Sequence, residues 1–215
     1  MRWGMVIDLK RCVGCYACTV ACKEEHFLPP GIFWNRVLMT HKGLYPAVTK
    51  EILPILCNHC KEAACVKVCP TGASHKREDG IVLVDSNKCV GCRACVIACP
   101  YNHRSYFEAY TPYFKGEGYT PPEELGRRLY PLEEKTAVKC NFCVERIESG
   151  RKKGLKPGID TEATPACVNT CPTEARTFGD LDDPDSNVSR LILEKKGTTL
   201  APEFETGPSV YYLRY

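Results

Sequence analysis

Four closely spaced cysteines and a proline occur in the stretch Cys89-Val90-Gly91-Cys92-Arg93-Ala94-Cys95-Val96-Ile97-Ala98-Cys99-Pro100. Two residues separate each of the first three cysteines from the next, three residues precede the fourth, and a proline follows it. Three thiolates at this spacing hold three corners of one [4Fe–4S] cubane, and the fourth cysteine ligates a second cluster. The stretch therefore predicts iron–sulfur chemistry that involves at least two clusters.

All sixteen cysteines of the 215-residue chain fall into four groups of this kind, which we call tetrads. In chain order the tetrads are Cys12, Cys15, Cys18 and Cys22; Cys57, Cys60, Cys65 and Cys69; Cys89, Cys92, Cys95 and Cys99; and Cys140, Cys143, Cys167 and Cys171. The fourth is stretched by 23 residues between its second and third cysteines. Four complete tetrads predict four [4Fe–4S] clusters, and no cysteine is left over for another role.

Disulfide bridges and zinc are the competing uses of so many cysteines. A disulfide scaffold is typical of secreted chains, but these thiols are too closely spaced for independent bridges. The N-terminus also predicts a strand rather than a secretory leader. Zinc ribbons use Cys-x2-Cys pairs, but they need only two pairs and do not use the spacing of these tetrads. Both alternatives are therefore disfavoured.

The formal charge of +3 does not indicate a nucleic-acid partner. It counts the cysteines as neutral thiols, whereas a cubane held by four thiolates carries about 2−. Four clusters would bring the loaded protein to a net charge of about −5. No apolar run approaches the ~18–20 residues of a membrane span, so we expect any membrane contact to come through a partner.

Two internal repeats organise the sequence. Residues 8–22 match residues 85–99 at an offset of 77 positions, and Asp, Val, Gly and two Ala recur beside the cysteines. Likewise Cys57-Asn58-His59-Cys60 matches Cys140-Asn141-Phe142-Cys143, and residues 64–73 match residues 166–175. The chain is thus a two-cluster unit that occurs twice.

The repeats predict an α+β fold, made of duplicated ferredoxin-like units that each hold two [4Fe–4S] clusters, with loop insertions and a C-terminal extension. The expected organisation is one unit from residues 1–50 plus 135–180, a second from 51–105, an insertion loop over 106–134, and a C-terminal extension for partner docking over 181–215. The aromatic side chains between Tyr101 and Lys139 either bury against a partner or cover the duplicated core.

Several short elements are expected around the tetrads. They are strands over residues 5–9 and 81–84, a helix through residues 191–195 capped by Asp185 or Ser186, and a terminal strand over Val210–Leu213. A proline after the last cysteine of a tetrad fixes the direction of the chain there. Lys23 replaces that proline in the first tetrad, which leaves the path of the chain after Cys22 open.

With these motifs, nearly the whole chain resembles the four-cluster iron–sulfur subunit of the molybdopterin oxidoreductase (dimethyl sulfoxide reductase) family. Such subunits accompany dimethyl sulfoxide, polysulfide, thiosulfate, tetrathionate and arsenate reductases of anaerobic respiration. The features that carry the resemblance are the four tetrads in this order, the Cys57-Asn58-His59-Cys60 start, the Cys-Pro-Thr-x-Ala exits, and the segment Gly179-Asp180-Leu181-Asp182-Asp183-Pro184.

The resemblance implies a ligand pairing in which the outer tetrads share clusters and the inner tetrads do the same. The implied clusters are held by Cys12, Cys15, Cys18 and Cys171; by Cys140, Cys143, Cys167 and Cys22; by Cys57, Cys60, Cys65 and Cys99; and by Cys89, Cys92, Cys95 and Cys69. Some relatives have an aromatic residue at the position of Cys92 and hold a [3Fe–4S] cluster there. Because Cys92 is present, we expect four cubanes.

The resemblance also implies partners. They are a larger catalytic subunit with a molybdenum or tungsten bis-pyranopterin centre and, in many relatives, a membrane anchor that exchanges electrons with quinone. The chain would be cytoplasmic, or periplasmic if exported with a partner that carries the signal, and membrane-associated only through a partner.

We expect a non-catalytic electron-transfer subunit, because nothing in the sequence resembles a nucleophile–base pair or an open metal site. The five histidines do not pair at ligand spacing. His59 either shapes its cluster or simply packs. The alternatives are a stand-alone polyferredoxin, or the iron–sulfur subunit of a formate dehydrogenase or hydrogenase.

Overall fold

The computed structural model describes residues 1–214 and shows a mixed arrangement of short strands and helices. The elements, in chain order, are β1 Trp3–Asp8, α1 Ala17–Glu25, β2 Asn35–Lys42, β3 Thr49–Leu56, α2 Ala64–Lys67, β4 Ser74–Lys76, β5 Val82–Val84, α3 Ala94–Ile97, β6 Ser105–Phe107, α4 Pro121–Leu129, β7 Thr136–Val138, α5 Val144–Lys152, α6 Ala166–Asn169, β8 Arg176–Asp180, α7 Asn187–Glu194 and β9 Val210–Leu213.

A three-stranded sheet with the order β8-β1-β9 forms the centre of the fold. Strand β1 runs antiparallel to β8 and parallel to β9. All six residues of β1 are buried, because Met5 and Ile7 face the main core and Val6 packs in a second cluster with Val188 and Leu213. The first and last strands of the chain are therefore held together in one sheet.

The remaining strands form three antiparallel pairs, β2–β3, β4–β5 and β6–β7. Strand β2 follows the first tetrad and β3 precedes the second, just as β6 follows the third and β7 precedes the fourth. In the same way β4 follows the second tetrad and pairs with β5, which precedes the third. Strand β8 follows the fourth tetrad and pairs with β1, which precedes the first. The pair β1–β8 therefore brings the first tetrad beside the fourth, and the pair β4–β5 brings the second beside the third.

The length of the helix at the end of each tetrad depends on whether a proline follows the last cysteine. Helices α2, α3 and α6 have four residues each and stop before the last cysteine and its proline. Helix α1 instead runs for nine residues through Cys22 to Glu25, because Lys23 can continue a helix where proline cannot. The side-chain amine of Lys23 then donates to the carbonyls of Pro29 and Ile32, which guides the chain after the helix.

The segment 106–134, expected as a loop, contains helix α4. The backbone N–H and the hydroxyl of Thr120 both donate to the carboxylate of Glu123, and Pro121 occupies the first helical position. Thr-Pro-Pro-Glu is therefore a capping signal that the loop interpretation overlooked. Three of the segment's aromatic rings cover the core, since Tyr110 packs on Phe107 and Tyr130 packs on His26. Tyr113 and Phe114 are exposed.

The predicted elements of the C-terminal region are present. Ser186, rather than Asp185, caps α7, because its hydroxyl oxygen accepts a hydrogen bond from the N–H of Ser189. The predicted terminal strand is β9, in which Val210 and Tyr212 are 0% exposed. This strand is part of the core and is not free for docking, and Tyr215, the last residue of the expected extension, lies outside the described residues. Across residues 1–214 no helix is long and apolar enough to cross a membrane.

Candidate metal centres

The structure gathers the sixteen cysteines into four quartets, each with three cysteines of one tetrad and one from another. Quartet I is Cys12, Cys15, Cys18 and Cys171; quartet II is Cys22, Cys140, Cys143 and Cys167; quartet III is Cys57, Cys60, Cys65 and Cys99; and quartet IV is Cys69, Cys89, Cys92 and Cys95. The sets are those that the resemblance implied.

Quartets I, III and IV each surround a cavity of similar size. Each cavity is small, with about 20, 20 and 10 Å³ of room, respectively, for the centre of a water-sized sphere. All sixteen cysteines are free of disulfide bonds. Within residues 1–214, no group of three or more His, Cys, Asp or Glu side chains converges tightly enough to hold a single metal ion. The thiols thus face a shared space, which suits a polynuclear cluster better than one ion.

Quartet II lies in the interior, and each of its four cysteines is buried. Burial, and then the nearness of Cys140, Cys167 and Cys143, raises the pKa of Cys22 well above its usual value. Burial likewise raises the pKa of Cys140 to about 12. Such thiols ionise at neutral pH only if a positive group binds them, and a metal cluster supplies that charge.

Buried arginine side chains near the quartets indicate whether a cluster would fit there. The guanidinium of Arg104 is buried, and its Nε and Nη2 have no hydrogen-bond partner within residues 1–214. Buried donors without acceptors are costly, and cluster sulfides are acceptors that would satisfy them. The cysteine-lined cavities and these unpaired donors therefore fit [4Fe–4S] clusters, which the sixteen thiolates would hold.

Backbone N–H groups donate to the last cysteine of three tetrads. The donors and sulfurs are Ser74 N to Cys69 Sγ at 3.3 Å, Ala175 N to Cys171 Sγ at 3.2 Å, and His103 N to Cys99 Sγ at 3.5 Å. In the two Cys-Pro-Thr segments the threonine hydroxyl also lies 3.8 Å from the cysteine sulfur. Hydrogen bonds to ligand sulfurs raise the reduction potential of a cluster, so these N–H groups would help to set the potential of a cluster that these cysteines bind.

The loops that carry the first and third tetrads need glycine for their tight turn. Gly14 and Gly91 have φ angles of 70° and 69°. A Cβ atom on Gly91 would lie 2.4 Å from the carbonyl oxygen of Lys135, and one on Gly14 would lie 2.6 Å from Met39 Cε. The left-handed backbone therefore favours glycine at both positions, and at Gly91 the close approach of a backbone oxygen requires it as well.

Two buried histidines lie near the quartets. The Nδ1 of His59 accepts from the N–H of Val82, its ring stacks on Phe142, and its Nε2 has no hydrogen-bond partner within residues 1–214. Packing of His59 is therefore observed, and a hydrogen bond from its Nε2 to a cluster stays a prediction. His26, which the sequence did not single out, places Nε2 at 3.3 Å from Cys143 Sγ. It follows Cys22 by four residues, one helical turn, and this spacing was the available signal.

A mixed α/β chain with these cysteine groups defines a ferredoxin-type [4Fe–4S] protein. A 4Fe-4S dicluster domain matches residues 48–124, and a 4Fe-4S binding domain matches residues 3–24. The chain belongs to the family of iron–sulfur subunits of the molybdopterin oxidoreductases, and electron transfer is its function.

Three relatives show how fully the family covers the chain. The arsenate respiratory reductase iron–sulfur subunit ArrB of Shewanella sp. (strain ANA-3) is 43% identical, over 100% of this chain and 97% of its own length. A putative dimethyl sulfoxide reductase iron–sulfur subunit of Halobacterium salinarum is 42% identical, over 99% and 79%. A selenate reductase subunit of Mesobacillus selenatarsenatis is 41% identical, over 99% and 72%.

Proposed function

We propose that the protein is a four-cluster wire between a larger molybdopterin catalytic subunit and a second redox partner. Each of quartets I to IV would hold one [4Fe–4S] cluster, so that all sixteen cysteines are ligands. The observation that carries the proposal is the assembly of each quartet from two different tetrads.

Matching backbone conformations support a duplicated ferredoxin-like fold, with units 1–50 plus 135–180 and 51–105. Residues at corresponding positions of the repeats share the left-handed conformation: Gly14 and Gly91, Tyr16 and Arg93, His59 and Phe142, and Gly72 and Glu174. Non-glycine residues rarely adopt positive φ, so such coincidence is informative. The strand pairs also correspond, because β1–β8 flanks one unit as β5–β4 flanks the other.

Contacts between quartets support the linear order I–II–III–IV. The buried Arg176 approaches Cys18 of quartet I and Cys167 of quartet II. Cys57 of quartet III lies close enough to help raise the pKa of Cys140 of quartet II, after the larger effect of burial. Quartets III and IV meet around Arg104, which is described below.

The two ends of this order are the exposed ones. Cys15 of quartet I and Cys92 of quartet IV are exposed, whereas quartet II is buried. Exposed apolar side chains flank both ends at corresponding positions: Val13 and Val90, at 58% and 67%, and Val20 and Ile97, at 60% and 85%. Apolar residues around an exposed site suit docking to a partner. Electrons would thus enter at one end and leave at the other.

The partners are proposed from the relatives, whose names describe subunits of arsenate, selenate and tetrathionate reductases. One partner would be a catalytic subunit with a molybdenum or tungsten bis-pyranopterin centre, and the other a membrane quinone subunit or a soluble carrier. When bound, each cluster would supply a one-electron redox centre. The chain's own residues hold the clusters, shield quartet II from water, and donate hydrogen bonds to the ligand sulfurs. Any membrane association would come through the partner.

Metal analysis of anaerobically purified protein tests the cluster count. We expect about sixteen iron and about sixteen sulfide per chain with negligible zinc. Stoichiometric zinc, or only about eight iron, would overturn the four-cluster assignment. Affinity purification from native cells should also recover a larger pterin-bearing chain. Recovery of a functional monomer alone would instead favour a stand-alone polyferredoxin.

A further inference from the structure

Arg176 lies between quartets I and II. Its side chain is buried, with Nη2 at 3.3 Å from Cys18 Sγ and Nη1 at 3.7 Å from Cys167 Sγ. The Oδ1 atom of Asn35 accepts from Nη2 at 3.0 Å, and Asn35 in turn donates to the carbonyl of Cys18. The guanidinium is therefore held in place, and within residues 1–214 no carboxylate is among its hydrogen-bond acceptors.

Arg104 has the corresponding place between quartets III and IV. It follows Cys99 by five residues, as Arg176 follows Cys171. Its side chain lines the cavity of quartet III, and its hydrogen-bond partner Ser74 lines the cavity of quartet IV. Burial lowers the pKa of Arg104, but the nearby Cys65 and Cys95 outweigh that effect and raise it. Cys65 and Cys95 are the third cysteines of their tetrads, and so are Cys18 and Cys167, which lie beside Arg176. The Nη1 of Arg104 donates to Ser74 Oγ at 2.7 Å, while its other donors are unpaired within residues 1–214.

Lys139 supplies a cation at the middle junction. Its side chain is buried and donates to the carbonyl of Cys140, which belongs to quartet II. Burial raises the pKa of Cys65, in quartet III, and the charge of Lys139 is near enough to oppose that rise. The repeat places Leu56 at the corresponding position before Cys57, so Lys139 is the one cation of this repeat pair. The middle junction thus receives its positive charge from one half of the chain.

We infer that Arg176, Lys139 and Arg104 are positioning residues that set the reduction potentials of the two clusters on either side of each junction. A reduced cluster carries one more negative charge than an oxidised one, so a buried cation beside it favours reduction. N–H donors directed at sulfur act in the same direction. Because each cation faces two quartets, it raises the potentials of both clusters. This inference rests on the proposed four-cluster function.

The experiment is a redox titration, monitored by electron paramagnetic resonance, of the purified holoprotein and its variants. Arg176→Met is expected to lower the midpoint potentials of the clusters in quartets I and II, and Arg104→Met those in III and IV. Lys139→Leu, which copies the residue of the repeat, should lower those in II and III. Signals are assigned with one serine variant for each quartet: Cys15→Ser, Cys143→Ser, Cys60→Ser and Cys92→Ser.

Conservative and matched variants separate electrostatics from folding. Arg176→Lys, Arg104→Lys and Lys139→Arg keep the charge and should restore part of each shift, even if the neutral variants lose iron. The control is Arg77→Met, because Arg77 bonds to the carboxylates of Asp79 and Glu148 and should leave all four potentials near wild type.

The pattern of shifts decides the inference. Two neighbouring clusters shifted by each neutral variant, with partial recovery in the charged one, would support it. Shifts confined to one cluster, equal shifts of all four, or unchanged potentials would overturn it. If the wild-type protein itself holds fewer than four clusters, the proposed function fails instead, so the two failures are distinguishable.

Discussion

His59 stacks on Phe142, with ring centroids 3.8 Å apart and an angle of 27° between the planes. The two residues occupy the same position in the repeated Cys-Asn-x-Cys segments, so each half of the chain contributes one ring to the contact. Both rings are 1% exposed, and Phe142 also packs edge-on against Phe178. The stack therefore joins quartets II and III at the centre of the molecule.

Phe142→Ala should destabilise the fold by about 3–5 kcal/mol, since it removes a buried aromatic ring and leaves a cavity. Thermal denaturation under anaerobic conditions, with iron content measured alongside, checks this. Phe142→His is the matched control, because His already fills the corresponding position, and it should retain more stability than the alanine variant. Equal stability of wild type and Phe142→Ala would contradict the central role of the stack.

Cys171→Ser should perturb the same cluster as Cys18→Ser, because both cysteines line the cavity of quartet I. Electron paramagnetic resonance of the two variants should show the same signal altered, while the signal lost in Cys143→Ser remains. If Cys171→Ser and Cys143→Ser instead alter the same signal, the four cysteines of one tetrad bind one cluster. The quartets would then not be the ligand sets.

His26→Phe should lower the potential of the cluster in quartet II. Burial lowers the pKa of His26 to about 4, so the ring is neutral at pH 7 and can donate from Nε2 to Cys143 Sγ. Phenylalanine keeps the packing against Trp34 and loses only the donor. His41→Phe is the control, since His41 is exposed in β2 and makes no hydrogen bond to a cysteine sulfur within residues 1–214. Equal potentials in wild type and His26→Phe would contradict the bond.

Ile97→Glu and Val20→Glu should each weaken binding of a different partner without loss of iron. Both side chains are exposed, at 85% and 60%, at opposite ends of the proposed cluster order. Binding is measured by co-purification with the catalytic subunit and, separately, with the second redox partner. Leu44→Glu, at 86% exposure in the β2–β3 connection, is a control for charge added to an exposed apolar site. Normal binding of both partners by both variants would place docking elsewhere.

The sequence predicted the four tetrads, the short strands before the first and third of them, and a cap at Asp185 or Ser186, because each depends on local spacing. The grouping of the cysteines into quartets came from the family resemblance instead. The sequence did not predict the helix α4, although Thr120 and Glu123 carried its signal. It also could not identify Arg104 and Arg176. Arginine is usually exposed, and the pairing of different tetrads brings these two side chains into the interior.

Removal of Val210–Tyr215 should lower the iron content. If this segment were only a docking tail, its removal would leave the iron content near normal. Val210 and Tyr212 are 0% exposed, and β9 pairs along β1, the strand that leads into Cys12. Tyr212 also donates its hydroxyl to the carbonyl of Pro54 at 2.9 Å. The truncation therefore removes a core strand beside quartet I. Tyr212→Phe, which loses only that bond, should cost about 1 kcal/mol and keep full iron. A truncated chain with normal iron and normal thermal stability would show that β9 is dispensable to the core.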